Sequence, residues 1–275
     1  MIKKYKGELG SFEYDDTEFK IIEEDGGIRL QYIGGKKDGS NIKIPEGLTN
    51  CTKMFAYYDN LETPPVIPEG VKDCSCMFTE CIKLKKAPAI PEGVINCLGM
   101  FAYCDSLEIP PVIPAGVKDC KCMFAYCDSL ETPPVIPEGV EDCNGMFSDC
   151  IRLKKAPEIP EGVENCTYMF YSCENLKTPP AIPKGVKNCL RMFCGCKKLE
   201  TAPKIPESVT ICSYMFAGCL NLKIAPDIPD SVKKCGGMFW CCTNLEILPE
   251  VPETVESKEN MFTGCEKAII NSLFL

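Results

Sequence analysis

The residues of this chain that could do chemistry are its cysteines. The segment DCKCMFAYC (119–127) holds three cysteines and one methionine, four sulfur side chains within nine residues. Thiolate sulfur is both a metal ligand and a redox-active nucleophile. The sequence of 275 residues contains 22 cysteines and no histidine. A metal store, a redox array and a purely structural role are the alternatives that this composition raises.

The cysteines belong to a repeat that predicts the architecture. The dipeptide Met-Phe begins ten times at a constant spacing of 23 residues, at positions 54, 77, 100, 123, 146, 169, 192, 215, 238 and 261. The repeat unit is CxxMFxxCxxLxxxPxIPxGVxx. A fixed period of this length is the signature of a solenoid. We therefore expect one uninterrupted solenoid of ten coils over residues 44–262.

Two repeat positions contain eighteen of the 22 cysteines, and only Cys76, Cys122, Cys194 and Cys241 fall elsewhere. Within 119–127, the i, i+3, i+4 and i+7 spacing of the apolar residues predicts a short helical turn with one buried stripe: Cys120, Met123, Phe124 and Cys127. Small thiols suit a narrow core, whereas a metal site would be local and would use CxxC pairs or histidines. We interpret the sulfur as core filling and expect no metal or cofactor.

The rest of each unit predicts a cap, an extended segment and a turn. Asn or Asp precedes the first Cys in seven of ten units and would cap the helical turn. LETPPVIP (61–68) has apolar residues with a period of three, which is typical of polyproline II structure rather than of a β-strand. IPEGV (67–71) predicts a type I turn with Pro at i+1 and Gly at i+3.

The chain ends depart from the repeat. Residues 1–43 predict a β-rich N-terminal cap, because FKIIEEDGGIRLQYI (19–33) has the pattern of a hairpin around Gly26–Gly27. A turn at GGKKDGS and an edge segment NIKIP would follow this hairpin. Residues 263–275 predict a C-terminal cap in which IINSLFL closes the core.

The repeat unit resembles the BspA-like (Treponema pallidum-type) leucine-rich repeats. IPEGVKDCSCMFTECIKLKKAP (67–88) shares their 23-residue period and their IPxxV…FxxCxxL skeleton, and the likeness spans roughly residues 42–270. The resemblance implies a curved solenoid with a ladder of short strands on one face and a role in protein recognition. Members of that family are typically exported surface proteins. The doubled prolines of this chain depart from the regular pattern.

Charge and composition restrict the function. The net charge is −9, with no run of Lys or Arg, which disfavours direct binding to nucleic acid or to an anionic membrane. The N-terminus lacks the apolar stretch of a signal peptide, so we expect a cytoplasmic protein with reduced thiols, and an exported surface protein is the alternative. Without histidine a Cys or Ser nucleophile lacks its usual base, and no phosphate-binding motif occurs. We expect no enzymatic activity.

Exposed repeat columns are the candidate binding surfaces. We define the acidic column as the carboxylates of the turn: Glu69, Glu92, Glu138, Glu161, Glu207 and Asp230. We define the aromatic column as the aromatic residues beside the Met-Phe pair: Tyr57, Tyr103, Tyr126, Tyr171 and Trp240. A third column, from Glu62 and Lys85 to Glu246, mostly alternates in sign and is expected to neutralise itself.

Three functional hypotheses remain open at this point. The first is a protein-interaction module whose acidic and aromatic columns together bind a partner with a basic surface. The second is an intracellular inhibitor, of the phage-encoded counter-defence kind, that blocks the basic groove of a nucleic-acid-handling enzyme. The third is a thiol-rich metal-binding protein.

Overall fold

The protein begins with two antiparallel β-hairpins. The computed structural model describes residues 1–24, 27–35 and 38–268. Strand β1 (Ile2–Gly7) pairs with β2 (Gly10–Asp15), and β3 (Phe19–Glu24) pairs with β4 (Gly27–Tyr32). The second hairpin lies where the sequence pattern placed one, although Gly26 is outside the described residues. The pattern did not predict β1 and β2, and NIKIP (41–45) contains no strand.

The second hairpin is continuous with the core of the first coil. The backbone N–H of Tyr32 donates to the carbonyl of Met54 at 3.0 Å. The ring of Tyr32 lies between Phe19 and Phe55, 5.4 Å from each centroid. This arrangement covers the first coil of the solenoid with buried aromatic side chains.

We call residues 50–58 and their equivalents the turn side, which is one long side of each coil. Along the turn side, every second backbone amide donates a hydrogen bond to a carbonyl of the next coil. The amides of Cys74, Cys76 and Phe78 donate to carbonyls of the next coil at 3.0, 2.7 and 2.9 Å. The amides between them close tight turns instead, as Met77 does to the carbonyl three residues earlier at 3.1 Å. An α-helix would pair each amide with the carbonyl four residues earlier. The predicted helical turn is therefore corrected to a series of tight turns.

The physical reason is that two residues of every coil adopt the left-handed backbone conformation. In 119–127 these are Cys122, with φ of 51°, and Tyr126, with φ of 60°. Equivalent residues of the other nine coils also have positive φ, and a left-handed residue interrupts a right-handed helix. The buried stripe is as predicted, since Cys120, Met123 and Cys127 are fully buried in the structure.

Asn and Asp side chains fix the start of the turn side. The carboxylate of Asp73 accepts from the backbone N–H of Ser75 at 2.8 Å, and that of Asp119 accepts from the N–H of Lys121 at 2.9 Å. All seven predicted caps make this bond to the amide two residues ahead. The same residues form single parallel β-bridges from coil to coil, from Asn50 as far as Asn188.

A stack of phenylalanines runs through the core. Ten rings, from Phe55 to Phe262, stack on one another with centroids 5.6–5.8 Å apart and interplanar angles of 3–8°. Offset stacking at this separation is favourable beyond the burial of the rings. The stack is therefore the repeated packing contact that holds successive coils in register.

The other long side, which we call the proline side (residues 61–68 and their equivalents), has few bonds between coils. From Pro65 to Gly70 and at the equivalent positions of the described coils, no backbone amide donates to a neighbouring coil. Proline lacks the N–H that a ladder requires. The parallel bridges of this side are isolated, one between Lys86 and Ile109 and one between Ile224 and Ile247.

The turn after the proline side starts one residue later than predicted. The N–H of Val71 donates to the carbonyl of Pro68 at 3.2 Å, so Pro68 is the first residue of the turn and not the second. Glycine in this turn allows close approach of coils, since a Cβ on Gly139 would lie 2.8 Å from the carbonyl oxygen of Ala115. Ser208 fills the equivalent position and donates its hydroxyl to a neighbouring carbonyl at 2.7 Å.

The solenoid ends in the part of the chain that was assigned to a C-terminal cap. Residues 266–268 are helical, and residues 269–275, which include the IINSLFL segment, lie outside the described residues. The proposed closing of the core by this segment stays a prediction.

Candidate protein-binding surfaces

The aromatic column lies on the turn side and is largely exposed. Tyr57, Tyr103 and Trp240 are 66%, 43% and 45% exposed. The rings of Tyr103 and Tyr126 stack at a centroid distance of 4.4 Å and an angle of 6°. Tyr171 is half-buried. The aromatic residues that the sequence indicated are thus on the surface, and two of them form a rigid stacked pair.

Tyr126 also faces a carboxylate of the next coil. The carboxylate of Asp149 raises the pKa of the Tyr126 hydroxyl, through its charge, and burial, the neighbouring Tyr103 and hydrogen bonds to both residues act in the same direction. The hydroxyl therefore remains protonated and able to donate at physiological pH. The stacked pair combines an apolar face with a polar edge, which is the usual character of tyrosine at interfaces.

All six residues of the acidic column are exposed on the turns that follow the proline side. None of them forms an ion pair within residues 1–24, 27–35 and 38–268. The alternating column behaves differently, because Lys154 pairs with Glu131 at 2.6 Å and Lys177 with Glu200 at 3.7 Å. The alternating column neutralises itself in part, whereas the acidic column, which is interrupted by Ala115 and Lys184, forms no ion pair with any described residue.

The structure does not join the acidic column to the aromatic column. In the described part of the chain, no hydrogen bond or ion pair connects a residue of one to a residue of the other. Glu138, Glu161 and Glu207 instead line grooves of the proline side. Within the described residues the two columns are not bonded to each other, and their joint contact with one partner stays a prediction.

Two grooves open between coils where proline prevents hydrogen bonding. One, of 630 Å³, lies between residues 178–184 and 201–208, and the other, of 530 Å³, between 132–138 and 155–161. In each groove a coil with doubled proline faces a coil with Ala-Pro, as Pro133–Pro134 faces Ala156–Pro157. The grooves combine an apolar floor with carboxylates of the acidic column at the edge.

A cation–aromatic cluster on the turn side was missed by the sequence patterns. The guanidinium carbon of Arg191 lies 5.7 Å from the ring centroid of Tyr168 and 5.1 Å from that of Tyr214. The three residues each precede a Met-Phe pair and are spaced by 23, so aligning the repeats would have placed them in one column. The tyrosines come from the coils before and after Arg191 and enclose it between them.

The cysteine column that follows the Met-Phe pair has a specific partner. The thiol of Cys104 donates to the carbonyl of Phe78 at 3.1 Å, and the same bond, to a carbonyl 26 residues earlier, recurs for nine cysteines from Cys81 to Cys265. A thiol is a small apolar group that can still donate weakly. The repeated S–H···O bond explains why cysteine rather than alanine occupies this position.

Burial makes these thiols poor nucleophiles. Loss of solvent raises the pKa of Cys51, Cys81 and Cys242 from an ordinary 9.0 to about 12. The thiolate is the reactive and metal-binding form, so core cysteines with raised pKa values are chemically inert near neutral pH. In the described part of the chain, no group of three or more Cys, Asp or Glu side chains is arranged to hold a metal ion.

The four cysteines outside the two columns are more accessible than the rest. Cys122 is exposed, and Cys76, Cys194 and Cys241 are partly exposed. Cys76 and Cys122 occupy left-handed positions on the turn side. The equivalent residues of the coils that follow them are Gly99 and Gly145. The sulfur of Cys122 would lie 3.1 Å from a Cβ at Gly145, so glycine there leaves more room for the thiol.

Comparison with known proteins identifies relatives of the repeat. The model of the BspA type leucine rich repeat region matches residues 99–223 and 166–273, with six copies, over more than half of the chain. No curated protein matches. Within the described residues, no helix has the length and apolarity needed to cross a bilayer.

Three solved structures are similar to this chain. The leucine rich repeat protein of T. pallidum aligns with 21% identity and a TM-score of 0.50, over 76% of this chain and 90% of that one. A leucine-rich repeat protein from Bacteroides ovatus aligns with 21% identity and a TM-score of 0.36, over 92% of each chain. A leucine rich cell surface protein from Faecalibacterium prausnitzii aligns with 18% identity and a TM-score of 0.38, over 93% and 92%.

Proposed function

Because the chain belongs to the family of BspA type leucine rich repeats, we propose that it is a non-enzymatic module that binds a partner protein with a basic surface through its acidic column. Proteins of this repeat class are generally protein-interaction modules. The observation that carries the proposal is a line of six exposed carboxylates without ion pairs in the described residues.

Electrostatics favours such a partner. Carboxylates at one position of successive coils repel one another, and a basic surface would relieve this repulsion on binding. The column also lies beside the apolar grooves of the proline side, which would accept side chains that flank the basic residues. The aromatic column is a second contact surface of the same module, since tyrosine and tryptophan are frequent in binding hot spots.

Charge reversal tests the acidic column. A triple variant, Glu69→Lys, Glu92→Lys and Glu138→Lys, is expected to lose partners that the native chain retains from an extract of the source cells. The control variant, Glu62→Lys, Glu108→Lys and Glu200→Lys, changes the net charge by the same amount at exposed positions outside the acidic column. Equal retention by the two variants would remove the acidic column from the binding surface.

The inhibitor hypothesis uses the same acidic surface. A competition experiment with nucleic acid separates it from the general interaction module. A line of carboxylates, interrupted only by Ala115 and Lys184 between Glu69 and Asp230, resembles the charge of a nucleic-acid backbone, so a basic nucleic-acid-binding groove is a chemically suitable partner. Single-stranded or duplex DNA should then displace the protein from its captured partner, with a steep dependence on salt. Displacement by salt but not by nucleic acid would favour the general interaction module.

Two further aspects stay predictions. The cytoplasmic location is tested by fractionation of the source cells, with an exported surface protein as the alternative. The metal-store hypothesis is tested by elemental analysis of protein purified under reducing conditions, where stoichiometric metal would contradict the structural role of the thiols.

A further inference from the structure

We propose that Tyr168, Arg191 and Tyr214 form a binding site for a carboxylate in an acidic segment of a partner protein. This site is on the turn side, whereas the acidic column is on the turns beyond the proline side. It therefore goes beyond the proposed function and does not depend on it.

The two tyrosine rings hold the guanidinium in place. The carbon of the Arg191 guanidinium lies within 6 Å of both centroids, at 5.7 and 5.1 Å, which is the range of a cation–π contact. The rings cover the group, while its N–H donors form no side-chain hydrogen bond or ion pair within the described part of the chain. A planar guanidinium held in this way is preorganised for a bidentate bond to a carboxylate.

The turn-side segments around Arg191 contain no side chain that could neutralise its charge. The turn-side segments of its own coil and of the two adjacent coils, residues 165–173, 188–196 and 211–219, contain no Asp or Glu and no other Lys or Arg. Turn-side segments nearer the N-terminus do contain carboxylates, such as Asp119 and Asp142. The other arginine of the repeats, Arg152, is paired with Glu131 at 2.8 Å. Arg191 is thus an isolated cation on an uncharged aromatic surface of an acidic protein.

A single cation indicates a singly charged ligand. Sites for phosphate usually gather several basic residues around the dianion, whereas one guanidinium matches one carboxylate in charge and in geometry. The neighbouring side chains fit a protein partner, because Tyr171 lies 5.6 Å from Tyr168 and Trp240 is exposed two coils further on. Tyrosine, tryptophan and arginine are the residues most frequent in interface hot spots.

Glycine at position 237 makes room for one of the two rings. A Cβ at Gly237 would clash with the Tyr214 ring, so any other residue there would displace the ring. Gly237 belongs to the same column as the cluster: the preceding coil has Tyr214 at this position, and the coil before that has Arg191. The order Tyr-Arg-Tyr-Gly along the column therefore positions the second ring against the guanidinium.

The chain has only three arginines, Arg29, Arg152 and Arg191, so their side chains can be observed individually by NMR. Full-length protein with ¹⁵N-labelled arginine would be titrated with acetyl-Gly-Phe-Glu-Gly-amide and with the matched peptide that carries Gln. We expect the Nε–Hε signal of Arg191 to shift with the Glu peptide at up to about 5 mM, and not with the Gln peptide. Arg191→Lys assigns the signal and should lower the affinity roughly tenfold.

Two control variants and a second ligand test the specificity of this site. Arg152→Lys removes the paired arginine and should leave the affinity unchanged, and Tyr214→Ser, checked for folding by its thermal transition, should lower it by removing one ring. Inorganic phosphate is the second ligand. The proposal is overturned if the Gln peptide or phosphate shifts the Arg191 signal as much as the Glu peptide does, or if no peptide shifts it.

Discussion

The turn side and the proline side of each coil differ in how they are joined to their neighbours. On the turn side, backbone amides donate to carbonyls of the next coil, as Cys74, Cys76 and Phe78 do at 3.0, 2.7 and 2.9 Å, beside a continuous stack of rings. On the proline side, long stretches of the described coils form no such bond, and apolar grooves of 530–630 Å³ open between coils. Cohesion and available binding space are thus placed on opposite sides of the same repeat.

The difference follows from a few residue types. Left-handed residues such as Cys122 and Tyr126 let the turn side alternate between local turns and bonds to the next coil. Prolines such as Pro133 and Pro134 withhold the donor that would close the other side. The thiols lie on the cohesive side, where each protonated S–H of the second cysteine column has a carbonyl partner.

The largest expected effect is a loss of stability at alkaline pH, because it sums over many thiols. Burial raises the pKa of Cys81 from its ordinary 9.0 to about 12 in the folded chain, whereas the unfolded chain ionises above 9.0. The contribution of such a thiol is full below pH 9 and is lost as pH rises from 9 towards 12, by about 1.4 kcal/mol per thiol at pH 10. Urea unfolding at pH 7, 8, 9 and 10 should show a steep fall of the midpoint above pH 9.

A variant with fewer thiols sharpens this test. Cys127→Ala with Cys150→Ala should be less stable at pH 7, because each loses a buried S–H···O bond, at 3.2 and 3.1 Å. Its midpoint should nevertheless fall less steeply above pH 9. A midpoint that stays constant from pH 7 to 10 would contradict the assignment of the thiols to a protonated core.

The second-largest expected effect is the loss of stability when a buried side chain is truncated, compared between the turn side and the proline side. Phe147→Ala removes a ring from the middle of the stack, between neighbours 5.7 and 5.8 Å away, and should lower the free energy of unfolding by about 3–5 kcal/mol. Ile136→Ala lies beside the 530 Å³ groove and should cost about 2 kcal/mol, since the open side can relax. Chemical denaturation measures both, and equal losses would mean that the two sides pack with the same rigidity.

The smallest effect is a gain of stability on the turn side. Thr167 is buried, and its hydroxyl has no hydrogen-bond partner among residues 1–24, 27–35 and 38–268. Thr167→Val keeps the shape of the side chain and removes the unsatisfied group, so it should raise the free energy of unfolding by about 1 kcal/mol. Thr52→Val at the equivalent position of the first coil is the control, because the Thr52 hydroxyl lies 3.4 Å from Asp73. A loss of stability in Thr167→Val would indicate a partner for this hydroxyl.

Several predictions from the sequence agree with the structure because they depend on burial and on local chemistry. The stripe through Cys120, Phe124 and Cys127 is buried, and Asn or Asp accepts the amide two residues ahead in all seven predicted caps. Burial of apolar residues and capping by Asn or Asp can be predicted from the identity of each residue. The backbone conformation could not be predicted in this way. The i, i+3, i+4 and i+7 spacing of apolar residues fits a helix, but it also fits a series of tight turns with two left-handed residues.

By itself, the sequence determined the period of 23, the residues that face the core and the line of acidic residues in the turns, since each follows from the identity of residues at equivalent repeat positions. Only the tertiary structure decided how coils bond to one another. It opened the grooves between proline segments and enclosed Arg191 between two rings from adjacent coils. These features arise from contacts between residues 23 positions apart, and such contacts exist only once the coils are stacked.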